Sequence, residues 1–417
     1  MDIPLIRLSS LLKSRLVDQG GDKLGRVDDL IVRLADQGYP PVTGLKARIG
    51  EREVFVPADM IGALEPGKIV LRGRKVDLGR FERREGELLL GQDLLGRRMI
   101  NVTGARLVRA NDLVLGQVDG WWRLVGVDTR FRSLVRGLAP GSAARNAVSP
   151  FLDWDSVEPF VGHVPSARLR MPFGRLAKLH PAQLADLVEA ASHEEGQEII
   201  GTVGVDRELE ADLFEELDPE HQVEFLRERS NAEAAKVLAT MEADDAADLI
   251  GELDRERREP VLGLLPHHLQ RKLRALLGYN PATAGGLMSP DFVAVAETRT
   301  VADALDELRR TDLPEETVTT VLVVDAQRRL TGLVSVVMLL KQPPQTLLKD
   351  AQSPPPLVLR PADELAEIAL RMADYDLTLA PVADENRAVL GIVTVDDLLE
   401  MMIPSDWRRR VEALSNE

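Results

Sequence analysis

Leu276–Arg310, which reads LLGYNPATAGGLMSPDFVAVAETRTVADALDELRR, decides the fold because the hydrophobic period changes within it. Before this stretch, residues 175–278 place apolar side chains at i, i+3, i+4 and i+7, which predicts amphipathic helices. After it, residues 285–402 alternate short apolar runs with helical segments, the first of which runs from Thr300 to Arg310. The sequence therefore predicts a helical domain joined directly to a strand–helix domain.

The helical segment is itself periodic. Leu217, Met241 and Leu265 are each expected to open a helix and are evenly spaced along the chain. Pro219 and Asp244 stand in first helical turns, where a missing N–H costs nothing and a negative charge meets the positive end of the helix dipole. Two short helices per repeat of this length predict a short α-solenoid.

Residues 1–165 read as β-rich, with short apolar runs separated by Gly and Pro. GRVDDLIV at Gly25–Val32 returns as VRANDLVL at Val108–Leu115, and RLVDQGGDKLG at Arg15–Gly25 returns as RMINVTGARLV at Arg98–Val108. Both pairs are related by one and the same shift along the chain, which predicts two copies of one unit. Each copy resembles a PRC-barrel module, and any other small β-barrel is the alternative.

The strand–helix region has the order of a CBS pair, a β-α-β-β-α motif that occurs twice. Two further motifs resemble those of another family and occur in the same order as in that family. They are the M-E-A-D-D-A-A-D-L run at Met241–Leu249 and the A-G-G-L-M run at Ala284–Met288. With them, residues 175–402 resemble the cytosolic region of MgtE-type magnesium transporters, an N domain followed by a CBS pair. We expect the transporter's membrane domain to be lacking.

The expected fold class is multidomain α+β, with two small PRC-like β-barrels, a short α-helical superhelix and a β-α-β-β-α CBS pair. The expected domains are PRC-like module 1 at 1–86, PRC-like module 2 at 87–170, the MgtE N-domain-like superhelix at 175–280, CBS motif 1 at 285–342, CBS motif 2 at 349–403 and a charged tail at 404–417.

The net charge of −16 is unevenly distributed. Residues 1–174 carry +6, residues 175–260 carry −15 and the remainder carries −7, so the acidic segment favours cations and makes nucleic acid an unlikely partner. The sequence has no cysteine, no signal-peptide pattern and no run of about 20 apolar residues that could span a membrane. We expect a cytoplasmic protein, with attachment to the inner membrane through a partner left open.

Asp244 and Asp248 are four residues apart in a helical pattern, so both carboxylates project from one face. Magnesium takes oxygen ligands and is often held by one or two carboxylates and several waters. The resemblance implies that acids of the CBS pair face this motif, and the matching positions are Glu364, Asp376 and Asp397. The alternative is that the acids form a solvated helix face and that Asp244 only caps its helix.

CBS pairs also bind adenine nucleotides, so the resemblance makes ATP, ADP or AMP a second expected ligand class. Its G-h-h-[ST]-x-x-[DN] signature, where h is an apolar residue, is met in the second motif by Gly391, Thr394 and Asp397. The first motif ends in Met338, which cannot accept a hydrogen bond from a ribose hydroxyl as a carboxylate does. We expect at most one standard nucleotide site.

The sequence shows no phosphate loop, no serine elbow and no H-E-x-x-H motif, so we do not expect an enzyme. The leading hypothesis is a magnesium-responsive regulator that passes its state to a partner such as a membrane transporter, and CBS pairing implies a homodimer. The rivals are an adenine-nucleotide sensor and a ligand-independent scaffold. Arg408–Arg410, where the family places acids, favours the scaffold, and the tandem His267–His268 is expected to be solvated.

Overall fold

The computed structural model describes residues 4–34, 38–73, 81–130, 150–164, 173–315 and 317–403. The predicted charged tail, with Arg408–Arg410, lies outside these residues. The described chain divides into two units, Met1–Asp218 and Pro219–Glu417. The predicted α-superhelix at 175–280 is thus shared between both units.

The first unit opens with the predicted β-rich region, which is confirmed. Its strands are β1 (Leu5–Arg7), β2 (Arg15–Val17), β3 (Lys23–Arg33), β4 (Val42–Ile49), β5 (Arg52–Pro57), β6 (Ile61–Glu65), β7 (Lys68–Leu71), β8 (Glu87–Leu89), β9 (Arg98–Asn101), β10 (Arg106–Arg109), β11 (Asp112–Val118), β12 (Trp121–Asp128), β13 (Leu152–Asp153) and β14 (Val157–Pro159). One sheet has the order β5-β4-β3-β2-β7-β6 with β8 on β3, another has the order β1-β11-β12-β13, and a third has the order β10-β9-β14.

The two sequence repeats exchange strands. β1 pairs antiparallel with β11 of the second repeat, and β8 pairs antiparallel with β3 of the first. Asp29 accepts hydrogen bonds from the backbone N–H groups of Gly91 (2.7 Å) and Gln92 (2.9 Å), and Asp112, at the equivalent position of the second repeat, accepts one from the Ser9 N–H (3.1 Å). One continuous apolar core joins both repeats. A boundary at residue 86 therefore does not separate two closed sheets, and the PRC-like assignment stays a prediction.

The helices of the superhelix follow the predicted apolar period. They are α1 (Phe173–Leu176), α2 (Pro181–Ala190), α3 (His193–Val203) and α4 (Arg207–Glu216) in the first unit, and α5 (Pro219–Arg227), α6 (Asn231–Leu238), α7 (Ala243–Glu252), α8 (Arg255–Leu262) and α9 (His267–Leu276) in the second. Ser192 and Ser230 begin α3 and α6 with reciprocal side-chain caps, which satisfy otherwise unpaired N–H groups. In the second unit, α7 packs on both α5 and α9, and α6 packs on α8, as expected of stacked helix pairs.

The second unit continues with two β-α-β-β-α motifs, as predicted. Their elements are α10 (Ala284–Leu287), β15 (Ala294–Ala296), α11 (Val301–Arg310), β16 (Thr320–Val324), β17 (Leu330–Ser335), α12 (Val336–Lys341), α13 (Leu348–Ala351), α14 (Leu365–Asp374), β18 (Leu379–Ala383), β19 (Val389–Thr394) and α15 (Val395–Met402). β16 pairs in parallel with β15 and antiparallel with β17, while β18 pairs antiparallel with β19. A parallel bridge from Leu359 to Val382 supplies the first strand position of the second motif.

Candidate functional site

Two of the predicted acids lie at helix starts in the second unit. Asp244 is in the first turn of α7, and Asp397 is in the first turn of α15. Thr394 is the N-cap of α15, and its Oγ1 accepts a hydrogen bond from the Asp397 N–H at 3.3 Å. In return, Oδ2 of Asp397 accepts from the Thr394 N–H at 3.2 Å and from its hydroxyl at 2.8 Å. This reciprocal cap fixes the position of the Asp397 carboxylate.

Asp244 is a buried acid beside other acids. It is 9% exposed, and its Oδ1 is buried with no hydrogen-bond partner in the described part of the chain. Burial raises the pKa of Asp244 from 3.8 to about 7, and the charges of Asp397, Asp248 and Asp291 contribute to the rise in that order. Burial also raises the pKa of Asp397, against the hydrogen bonds from Thr394 that lower it. The charge of Asp397 in the CBS pair thus acts on Asp244 of α7, and a shared ion site for these acids stays a prediction.

The remaining predicted acids are more open. The Asp248 residue is exposed overall, although its carboxyl group is partly shielded from solvent. This desolvation and the charge of Glu252 raise the pKa of Asp248 to about 6. Glu364 is the exposed N-cap of α14, and Asp376 follows the end of that helix at φ 51° with an exposed side chain. Neither of them is among the charges that act on Asp244. The expectation that they join the same ion site stays a prediction.

Sequence reasoning missed one acid of this cluster. Asp291 follows the A-G-G-L-M run and contributes to the raised pKa of Asp244. Lys272 of α9 donates a hydrogen bond to Oδ1 of Asp291. An acid just after a family junction motif could have been noted, but its lysine partner lies 19 residues earlier and carries no local signal.

The predicted nucleotide-binding residues make contacts within the protein. Thr394 is 3% exposed, and its hydroxyl is bonded to Asp397. A Cβ added at Gly391 would lie 2.6 Å from the Ser289 carbonyl oxygen, so this glycine allows a close approach of two backbone segments. In the first motif, Ser335 caps α12 through the Met338 N–H at 3.2 Å. The signature residues therefore serve the fold, and nucleotide binding stays a prediction.

The chemistry of the acidic cluster fits a hard divalent cation. A buried carboxylate oxygen without a donor costs free energy unless a proton or a cation compensates it. Magnesium binds through one or two carboxylates and retains several waters, so Asp244 and Asp397 provide a sufficient set of protein oxygens. Across the part of the chain that the structure describes, no helix is both long enough and apolar enough to cross a bilayer.

Comparison with known proteins places this geometry in a family. Residues 179–282 match the MgtE intracellular N domain, and residues 284–343 and 348–403 match the CBS domain. The magnesium transporter MgtE of Thermus thermophilus is 32% identical over 230 residues, which are 54% of this chain and 51% of that protein. The MgtE of Bacillus subtilis is 27% identical over 192 residues, which are 46% of this chain and 43% of that protein. The chain thus spans about half the length of the first of these relatives and less of the other.

Solved structures agree with this match. The crystal structure of the cytosolic domain of the Mg2+ channel MgtE in complex with ATP has 32% identity and a TM-score of 0.53, and covers 56% of this chain and 95% of its own. The soluble part of a magnesium transporter has 28% identity and a TM-score of 0.51, covering 55% and 90%. Residues 179–403 are therefore an MgtE intracellular N domain followed by a CBS pair, homologous to the cytosolic domain of MgtE magnesium transporters.

Proposed function

We propose that the second unit is a magnesium-responsive regulatory device in which a divalent cation holds α7 against the CBS pair. The observation that carries the proposal is the buried Oδ1 of Asp244, which has no hydrogen-bond partner among the described residues and feels the charge of the capped Asp397 carboxylate. Two carboxylates about 4 Å apart repel by roughly 1–4 kcal/mol at dielectric values between water and a protein surface. A bound cation reverses the sign of this interaction, so ion binding and closure of the two elements favour each other.

The output of this device is a proposal of its own. The relatives are magnesium transporters, so a transporter is the partner class that the family favours. In this proposal the protein is not an enzyme, acts in the cytoplasm and approaches the inner membrane only through such a partner. The β-rich first unit, with its PRC-like repeats, would contact the partner.

Self-association through the CBS pair is the second partner expectation, and exposed apolar side chains support it. Leu340 on α12 is 69% exposed and Leu370 on α14 is 68% exposed, and α15 exposes Leu399 and Met402. Large exposed apolar side chains are candidates for a surface that a partner covers. We expect a homodimer in solution, and sedimentation of Leu340→Glu against the parent chain tests it.

Hydrogen exchange tests the ion proposal directly. Amides of α7 and α15 should exchange more slowly in millimolar magnesium than in a chelator, because the closed state opens less often. Asp244→Asn and Asp397→Asn should abolish this difference. Asp312→Asn, which removes an exposed carboxylate elsewhere in the second unit, should retain it. Equal exchange with and without magnesium in the parent chain would refute the proposal.

An adenine-nucleotide sensor is the alternative function. It is favoured by the ATP complex of a homologous cytosolic domain and by the signature at Gly391, Thr394 and Asp397. A thermal shift with ATP, ADP or AMP that is lost in Asp397→Ala would select it. Indifference to both magnesium and nucleotides would select the scaffold hypothesis instead.

A further inference from the structure

A cavity of about 370 Å³ lies in the second unit between α9 and the CBS pair. One wall is a single face of α9, since His268, Arg271, Lys272 and Leu276 follow helical spacing. The opposite wall includes Met288, which directly follows α10, and Leu390 of β19. Sites for small molecules typically range from about 300 to 1,000 Å³, so this volume suits a small ligand.

The cavity joins an apolar floor to a cationic rim. Leu276 and Met288 are buried and Leu390 is half-buried, which gives an apolar body a surface to cover. Arg271 is exposed and makes no hydrogen bond or ion pair with any residue in the described ranges. No carboxylate lines the cavity among these residues. Lys272 of the rim is paired with Asp291, so Arg271 supplies the positive charge that selects an anionic group.

We infer that this cavity binds a small amphipathic anion, with a flat ring body against Leu276, Met288 and Leu390 and a carboxylate or sulfonate near Arg271. A guanidinium presents paired donors that match such planar anionic groups. Thr394 and Asp397, the polar residues of the CBS nucleotide signature, do not line the cavity, whereas Gly391 of that signature follows Leu390 and lies against Met288.

Indole-3-acetate and naphthalene-1-sulfonate are suitable probes, because each has a fused ring and one anionic group. Binding to the full chain is followed by titration calorimetry and by ligand-observed NMR. Arg271→Gln should weaken binding by about fivefold or more, the equivalent of roughly 1 kcal/mol for a partly exposed charge pair. The uncharged probe 3-methylindole should bind the parent chain and Arg271→Gln equally.

Arg274→Gln is the matched control on the same helix. Arg274 does not line the cavity and pairs with Glu259 at 2.9 Å, so its loss should leave probe binding unchanged. Leu390→Glu places a negative charge in the cavity and should abolish binding of both anions, with the melting temperature as the check on folding. Equal weakening in Arg271→Gln and Arg274→Gln, or no saturable binding of either anion to the parent chain, would overturn the inference.

Discussion

Replacing Asp244 by Asn should make the metal-free protein more stable at alkaline pH. The pKa of Asp244 is raised from 3.8 to about 7, so the folded second unit holds its proton more tightly than the unfolded chain does. The contribution of Asp244 to the free energy of unfolding is therefore greatest below pH 3.8 and is lost as the pH rises through 7. The difference between these two pKa values corresponds to about 4 kcal/mol at pH 8.

Asn cannot ionise, so it removes that penalty, although its amide also remains buried without a donor for its oxygen. An unsatisfied buried amide costs roughly 1–3 kcal/mol, which leaves a net gain of about 1–3 kcal/mol for Asp244→Asn at pH 8 in a chelator. At pH 5 the unfolded carboxyl is already ionised, so the penalty in the parent chain is about 1.6 kcal/mol. This is similar to the cost of the unsatisfied amide, so the variant should show little or no gain. Magnesium should reverse the order at pH 8, because a ligand that binds only the folded state stabilises the parent chain alone.

The assay is urea unfolding at pH 5 and pH 8, in chelator and in magnesium, with hydrogen exchange at α7 and α15 to assign the transition to the second unit. Asp312→Asn controls for the loss of one surface charge and should match the parent chain in all four conditions. The reasoning fails if Asp244→Asn is less stable than the parent at pH 8 without metal, or if magnesium stabilises both equally.

Three further predictions concern other buried or paired acids. Burial and the charge of Glu198 raise the pKa of Glu158 to about 7, although Arg175 lowers it. In urea unfolding of the first unit, the parent chain should therefore lose about 3 kcal/mol of stability relative to Glu158→Gln as the pH rises from 4.5 to 7. A stability difference that does not change with pH would contradict this. Asp112→Ala removes the hydrogen bonds from Ser9 that hold the exchanged strand β1. It should lower the free energy of unfolding by about 2 kcal/mol and expose the region around residue 9 to proteolysis. Asp59→Ala, at an exposed position, should have neither effect. Lys272→Met removes the cation that pairs with Asp291, whose charge acts on Asp244. If the proposed ion site exists, calorimetry should show magnesium binding about fivefold more tightly to this variant. An unchanged or weaker affinity would contradict this prediction.

The sequence carried most of the architecture of the second unit, because its signals are local. The apolar period, Pro219 at the start of α5 and the reciprocal cap that Thr300 forms with Asp303 at the start of α11 each act within one helical turn. The family resemblance then supplied a long-range expectation that local signals could not, the facing of Asp244 and Asp397, and the charge of Asp397 does act on Asp244.

The exchange of strands in the first unit was beyond such reasoning. The constant shift between the repeats predicts two equal units, but nothing in a strand as short as Leu5–Arg7 says which copy it pairs with. Pairing between distant strands is set by the shared core and by the Asp29 and Asp112 carboxylates that accept N–H groups from the opposite repeat. The ion pair of Lys272 with Asp291 was missed for the same reason.

The cap at Thr394 bears on which ligand Asp397 can serve. Both hydrogen bonds from Thr394 go to Oδ2 of Asp397, and neither uses Oδ1. A cation between Asp397 and Asp244 needs only one oxygen of this carboxylate, so ion binding and the helix cap are compatible. A nucleotide that used the Thr394 hydroxyl and the Asp397 carboxylate in the manner of the CBS signature would have to replace the bond between them at 2.8 Å. For the same residue, the local hydrogen bonds therefore favour the ion over the nucleotide.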